Sequence, residues 1–278
     1  MTAARYFYII CLLGGDQARA KFLRDVRFDY ILLMTEYAKT TALSINRYDF
    51  SETSQIVKFF SRELGAFNAI AKGAKRAKNT VGGPFDLLHT YEIEIVVKPP
   101  EHLNILVSAE VERHYLPIRR DLDKLAVAGR ILFLINELLP FHEKNRPVYD
   151  LTVDTLDSVS RGTKPYMDLL WFETNLLQGL GYLPGMDACA SCGSSLGVGR
   201  GGAFSPCGGG ALCFSCASGS RDVIRAGAGV FVFLGNLLRS RMTRFDSVGM
   251  DGALFRETMD VLDRYFAFVI ERPVRACI

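Results

Sequence analysis

Apolar and polar positions alternate in short runs over the first part of the chain. Thr41–Tyr48 puts Leu43 and Ile45 on one face, Gln55–Phe60 and Ala66–Ala71 follow, and Tyr91–Val97 alternates strictly before Leu103–Val107. A repeat of two residues is the pattern of strands with one buried face. Asp49-Phe50-Ser51-Glu52-Thr53 reads as the turn between the first two runs. Pro99-Pro100 reads as the turn between the last two, because proline cannot donate to a sheet ladder. Residues 72–85 form a basic loop containing glycine. Five such strands predict a small closed barrel such as an OB-fold, a pattern that a small sandwich would share.

The repeat lengthens near residue 121. Leu122, Leu125, Ala126, Gly129, Leu132, Phe133 and Leu139 follow helical spacing up to Pro140. Val148, Leu151, Thr155, Leu156 and Val159 form a second amphipathic segment. A third, Tyr166–Leu180, is opened by Pro165 and closed by Gly181, and its Met167, Trp171 and Phe172 read as core. Helical texture returns over Val223–Ser240 and Leu254–Ile270. The predicted class is therefore α+β, with an N-terminal five-stranded domain over residues 34–118, a small barrel such as an OB-fold or a small sandwich, followed by an α-helical domain over 119–278. Residues 1–33 stand apart. Arg5 followed by the apolar run Tyr6–Leu13 is the outline of a signal peptide, but export would oxidise cysteines that look like metal ligands. Met34 opens a soluble stretch directly before the strand pattern, which favours translation starting there and a leader that is non-native or disordered.

Length and charge narrow the picture further. A chain of 278 residues with 49% hydrophobic content can bury real cores, which excludes a disordered protein. No apolar run approaches the roughly eighteen residues of a membrane-spanning helix. The net charge of +3 is mild, so the placement of charge carries the argument. Lys72, Lys75, Arg76 and Lys78 fall within one short stretch that contains no acid. Arg47, Lys58 and Arg62 lie on or beside the neighbouring strands, and Phe59, Phe60 and Phe67 are interleaved with them. A basic groove with stacking aromatics on a barrel is how single-strand binders are built, whereas most charge runs are solvated surface. Phe59 and Phe60 must face opposite sides of their strand, so one is expected in the core and the other exposed.

The cysteines carry the most specific chemistry. Cys189-Ala-Ser-Cys192 and Cys213-Phe-Ser-Cys216 are two C-x-x-C knuckles at the separation of a four-thiolate zinc site. Such a site leaves no position for water and is structural, so a Zn²⁺-stabilised module is expected over residues 187–220. Iron in the same four-sulfur site is chemically permitted. Cys207 lies between the pairs at a spacing that suits no knuckle. Gly197–Gly202 matches G-x-G-x-x-G, and Gly193–Gly197 matches a nucleophile elbow. Neither has the strand before it and helix after it that its mechanism needs. The four histidines are scattered, and Glu92 with Glu94 shares one strand face, so no catalytic constellation emerges and the chain reads as a non-enzyme.

These features occur in an order that resembles one family. The series runs Tyr48-x-x-x-Glu52-Thr-Ser-x-Ile-Val57, Phe60-Ser-Arg-Glu-Leu-Gly65, Ala71-Lys-Gly-Ala-Lys-Arg76 and Leu176-Leu-x-x-Leu-Gly-Tyr-Leu-Pro184. It ends with Cys189-x-x-Cys192-Gly, Phe204-Ser-Pro-x-x-Gly-Gly and Cys213-x-x-Cys216. From Thr41 to the C-terminus the chain resembles the bacterial recombination mediator family RecO. The resemblance implies an OB-fold, a helical domain carrying zinc, and no covalent chemistry. It implies binding of single- and double-stranded DNA, annealing of complementary strands, and docking onto the acidic C-terminal tail of single-stranded-DNA-binding protein (SSB). It further implies joint action with RecR, indirect action with RecF and RecA, and a cytoplasmic, nucleoid-associated location. Arg119, Arg120 and Arg130 on or beside the first amphipathic helix are the expected cations for the SSB tail. A zinc-stabilised adaptor without DNA binding and a zinc-containing nucleic-acid enzyme are the competing classes.

Overall fold

The structure is a computed structural model that describes residues 36–99, 101–196, 202–219, 223–240 and 251–271. The leader 1–33, the expected start at Met34, and Cys11 and Cys277 lie outside these residues, as does most of the Gly197–Gly202 stretch.

Strands β1 (Glu36–Asp49), β2 (Gln55–Ser61), β3 (Gly65–Ala71), β4 (His89–Val97) and β5 (Asn104–His114) close into a barrel in the order β1-β2-β3-β5-β4. β3 and β5 run parallel, while the other neighbours are antiparallel. This is the strand order of an OB-fold. β1 starts at Glu36 instead of Thr41, and β5 runs on to His114 instead of ending at Val107. The extra residues include Lys39, Glu110 and Glu112 on the wet face, so their pairing with β4 leaves no apolar alternation to read.

The barrel interior holds Ala42, Val57, Phe59, Phe67, Ile93, Ile95 and Leu106. Phe59 packs against Phe67 at 5.9 Å and edge-on to Phe85 at 6.2 Å, offset geometries that aromatic quadrupoles favour. The expectation that Phe59 or Phe60 would be exposed is corrected. They do face opposite sides of β2, but both are fully buried. Phe60 leaves the barrel outward and packs edge-on against Tyr149 at 5.3 Å, because the helical domain covers that wall.

Beyond the barrel lie α1 (Leu116–Arg119), α2 (Leu122–Leu138), α3 (Arg146–Arg161) and α4 (Pro165–Gly179). They are followed by β6 (Gly202–Ser205), β7 (Gly210–Leu212), α5 (Phe214–Ala217), β8 (Ile224–Ala226), α6 (Ala228–Arg239) and α7 (Gly252–Ile270). Asp121 caps α2 by accepting from the amides of Asp123 and Lys124, and Asn145 caps α3 through Val148. The helical reading of 223–240 needs one correction: Ile224–Ala226 is a strand paired with β6, and the helix begins at Ala228. The core face of α2 matches the predicted one only in part: Leu132 and Leu139 are buried as expected. Val127, Ile131, Leu134 and Ile135 are buried, whereas Leu122 is 85% exposed and Leu125 and Phe133 are partly so. The helix is apolar over much of its circumference, so spacing alone did not single out one stripe. Among the described residues no helix is long and apolar enough to cross a membrane.

One charged group lies at the centre of this helical packing. Glu173 of α4 is wholly buried and accepts from Arg130 Nε of α2 at 2.8 Å, while Arg130 Nη2 donates to Asp263 of α7 at 2.7 Å. The second carboxylate oxygen of Glu173 has no hydrogen-bond partner among the described residues. Burial pushes the Glu173 carboxyl up to about 7, against the pull of Arg130. A carboxyl whose folded pKa is raised binds its proton more tightly in the native state than in the unfolded chain. Stability is therefore lost as pH rises from the ordinary carboxyl range through about 7. Glu173→Gln is expected to flatten this fall in thermal midpoint between pH 5 and 7.5, measured by circular dichroism. Equal slopes in both proteins would show that Glu173 is ionised throughout.

Candidate metal centre and nucleic-acid interface

The four knuckle cysteines converge. The sulfurs of Cys189, Cys192, Cys213 and Cys216 all lie within 4.8 Å of one another. Cys192 Sγ and Cys213 Sγ are 3.8 Å apart, close to the edge of a tetrahedron built on metal–sulfur bonds of about 2.3 Å. Gly193 turns the first knuckle at φ +71, with its amide donating to Cys189 O and the amide of Cys189 donating to Ser194 O. The second knuckle uses the first turn of α5, where Cys213 is the N-cap and Cys216 follows on the same face.

A short backbone ladder holds the two halves together. Gly185 N donates to Gly209 O, Ala211 N to Gly185 O, and Ala190 N to Ala211 O. Gly209 sits at φ +67, and a Cβ on Gly210 would lie 2.5 Å from Gly185 O, so this Gly-Gly pair is required by the approach itself. Amide hydrogen bonds from Cys213 and Cys192 hold the Cys189 thiol down at about 6. A hydrogen bond from Ser191 also draws the Cys216 thiol down, but the neighbouring Cys213, Cys192 and Cys189 thiols outweigh it and push Cys216 up to about 12. Holding all four sulfurs as thiolates at these distances would take a cation among them, and the donor set fits a closed, four-coordinate site. Cys207 is exposed and outside the four-sulfur group.

The basic loop between β3 and β4 is a stopper in the barrel mouth. Ala74, Val81 and Phe85 insert into the barrel core, while Lys72, Arg76 and Lys78 point to solvent. Its base is pinned by Lys75 N donating to Thr53 O and Gly73 N donating to Ser54 Oγ, both at the β1–β2 turn. Asn79 staples the far side, accepting from the amides of Gly82 and Gly83 and donating to Gly83 O. Lys75 is half-buried and pairs with Asp49 at 3.1 Å, which holds that carboxyl below its usual range. Arg47 lies 3.5 Å from Asp86 across the same mouth. Tyr48 and Phe50 are 54% and 59% exposed beside these cations. Phe50 was missed by sequence reasoning, although an aromatic in an otherwise polar turn was the available signal.

The other predicted cations have different surroundings. Lys58 is buried, donates to Asn136 O at 2.9 Å and sits 4.5 Å over the Phe141 ring, so it ties β2 to the end of α2. Burial draws its pKa below the usual lysine value. Arg62 pairs with Asp150 of α3 at 2.8 Å, bridging the same two domains from outside. Arg119 donates to Asp86 Oδ2 at 2.8 Å and to Leu87 O at 2.6 Å, which fastens α1 to the barrel. Arg120 is exposed. Arg130 is buried between Glu173 and Asp263 and also forms part of the lining of an apolar cavity of about 470 Å³ between α2, α4 and α7. Ala126, Leu169, Phe255 and Met259 supply its apolar wall, and Arg256 stands at its edge.

A five-stranded OB barrel joined to helices that carry a four-thiol cluster defines a two-part α+β protein with, among the described residues, one metal-type site. The model described as recombination protein O N terminal matches residues 34–115, and that described as recombination protein O C terminal matches residues 119–276. The chain belongs to the recombination protein O (RecO) family. A relative from Geobacter metallireducens, named DNA repair protein RecO, is 30% identical over 244 residues, covering 87% of this chain and 96% of its own. A relative of the same name from Anaeromyxobacter dehalogenans is 28% identical over 239 residues, covering 86% and 94%. Another, from Caldanaerobacter subterraneus, is 28% identical over 244 residues, covering 86% and 96%.

The cluster geometry predicts metal dependence. Elemental analysis of purified protein is expected to find one metal ion per chain, lost in Cys189→Ser together with the order of residues 187–219. The barrel, which shares no ligand with the cluster, should stay folded. Unchanged metal content in the variant would overturn the ligand assignment.

Proposed function

We propose that this protein is a non-catalytic mediator of DNA repair and homologous recombination. It binds single- and double-stranded DNA, anneals complementary strands, and acts with RecR and SSB to promote RecA loading, and indirectly with RecF. The metal in its four-cysteine cluster is Zn²⁺ in a structural role, and its place of action is the cytoplasmic nucleoid.

The observation that carries this reading is the set of solvent-facing cations Lys72, Arg76 and Lys78 on a loop whose root is built into the barrel. Cations presented this way meet phosphates without reading bases, as annealing of arbitrary sequences requires. Lys75 and Arg47 support the patch from its base, each already near a carboxylate. The family relatives named DNA repair protein RecO support the repair part of this reading. The helical domain supplies the second half of the function. Its apolar cavity, with Arg130 in its lining and Arg256 at the edge, suits an acidic peptide that ends in an apolar residue with a free carboxylate, which is the chemistry of the SSB tail. Arg120 is an exposed cation on the same domain.

Replacing Lys72, Arg76 and Lys78 together with Ala is expected to lower the magnitude of the log–log salt slope of single-strand binding by roughly 2, equally across sequences. Lys58→Met should lower the thermal midpoint and leave that slope unchanged, because Lys58 is spent on the domain seam. Annealing of SSB-coated complementary strands is expected of the wild type and greatly slowed in the triple variant. A triple variant with wild-type slope and wild-type annealing would show the loop to be ordinary solvated surface.

A further inference from the structure

We propose that Asp263 is an internal competitor for the carboxylate of an acidic peptide at the α2–α4–α7 cavity, holding the Arg130 nitrogen that the incoming group would take. This rests on the reading of that cavity as the seat of an acidic, apolar-ended peptide.

The argument starts from what Arg130 can offer. Its Nε is committed to Glu173, which is wholly buried. The guanidinium also lies 5.6 Å from the Phe266 ring centre, so its plane is fixed. Nη2 is held by Asp263 at 2.7 Å, and the Asp263 side chain is 24% exposed and lines the cavity. Of the two carboxylates on Arg130, only that of Asp263 can therefore be exchanged from the cavity side. An added ligand carboxylate would crowd a third carboxyl group onto one guanidinium. An exchanged one leaves the count on Arg130 unchanged and turns Asp263 towards solvent. Asp263 is already crowded there: burial raises its pKa, Arg130 opposes the rise, and Asp260 on the same helix adds to it. Asp260 lines the same wall but pairs with Arg264 at 3.1 Å, which makes it the natural control. A clasp that merely joins α2 to α7 would have the same distances, but it would respond differently to loss of the Asp263 charge.

The test uses the full chain and a fluorescein-labelled peptide of aspartates ending in phenylalanine with a free carboxylate, read by anisotropy beside thermal midpoints. Asp263→Asn is expected to bind this peptide roughly tenfold more tightly than wild type, with no such gain for the same peptide carrying a C-terminal amide. Asp263→Glu should keep wild-type affinity, and Asp260→Asn should change it little. If Asp263→Asn does not fold, Asp263→Ser removes the same charge and carries the same expectation. Unchanged or weaker binding with a lowered midpoint would identify a structural clasp and overturn the proposal. An equal gain in Asp260→Asn would reduce the effect to general electrostatics and overturn it as well. Absence of binding in every variant would instead refute the cavity as the peptide's seat, and the competitor role would fall with it.

Discussion

Part of the outer wall of β1 and β2 is dry, and much of the architecture depends on that. Leu43, Ile45 and Phe60 leave the barrel outward and join the same core as Val148, Tyr149, Ile135 and Leu139 of the helical domain. Each of these two strands therefore buries both faces over part of its length, one inside the barrel and one against helices. The seam also has polar fasteners: Lys58 on Asn136 O, His142 N on Ala66 O, and Arg62 on Asp150. Apolar burial supplies the non-directional part of the attraction, and these bonds fix the angle at which the barrel sits. The basic loop and the helical cavity are consequently presented by one continuous body.

The same residue type meets two fates across that body. Lys58 and Lys72 are both barrel lysines, yet one is buried and the other projects to solvent. A buried ammonium is tolerated only where an acceptor and a ring replace its water, and Asn136 O with Phe141 does this for Lys58. Arg62 and Arg119 likewise serve the junction, each held by an aspartate from elsewhere in the chain. The cations of Lys72, Arg76 and Lys78 have no such structural duty among the described ion pairs and stay exposed.

How far the sequence could be read follows from the range of each interaction. The strands were legible because alternation is a local signal, and the four cysteines because a two-residue gap fixes where both sulfurs of a knuckle can point. The ends of β1 and β5 were not, since polar outer faces hide a ladder that depends on β4. The roles of Lys58, Phe60 and Arg130 were not either. Each is settled by a partner distant in sequence, Asn136, Tyr149 and Asp263 respectively, and nothing within a short window distinguishes these residues from exposed ones. Glu173 left a faint trace: it falls inside the apolar stripe of α4, between Leu169, Leu170, Leu176 and Leu177.

The stopper construction of the β3–β4 loop has a thermodynamic corollary. Ala74, Val81 and Phe85 are anchored in the barrel, and the loop's turns are stapled by Asn79, Ser54 and Thr53. The backbone entropy of this segment is therefore surrendered when the barrel folds, and only the rotamer freedom of the exposed side chains remains to be lost in an encounter with a ligand. An anion that reaches Lys72, Arg76 and Lys78 finds a backbone already set, so contact can form quickly and dissolve quickly without any refolding step. A surface of that kind suits a strand that must be held briefly and then released.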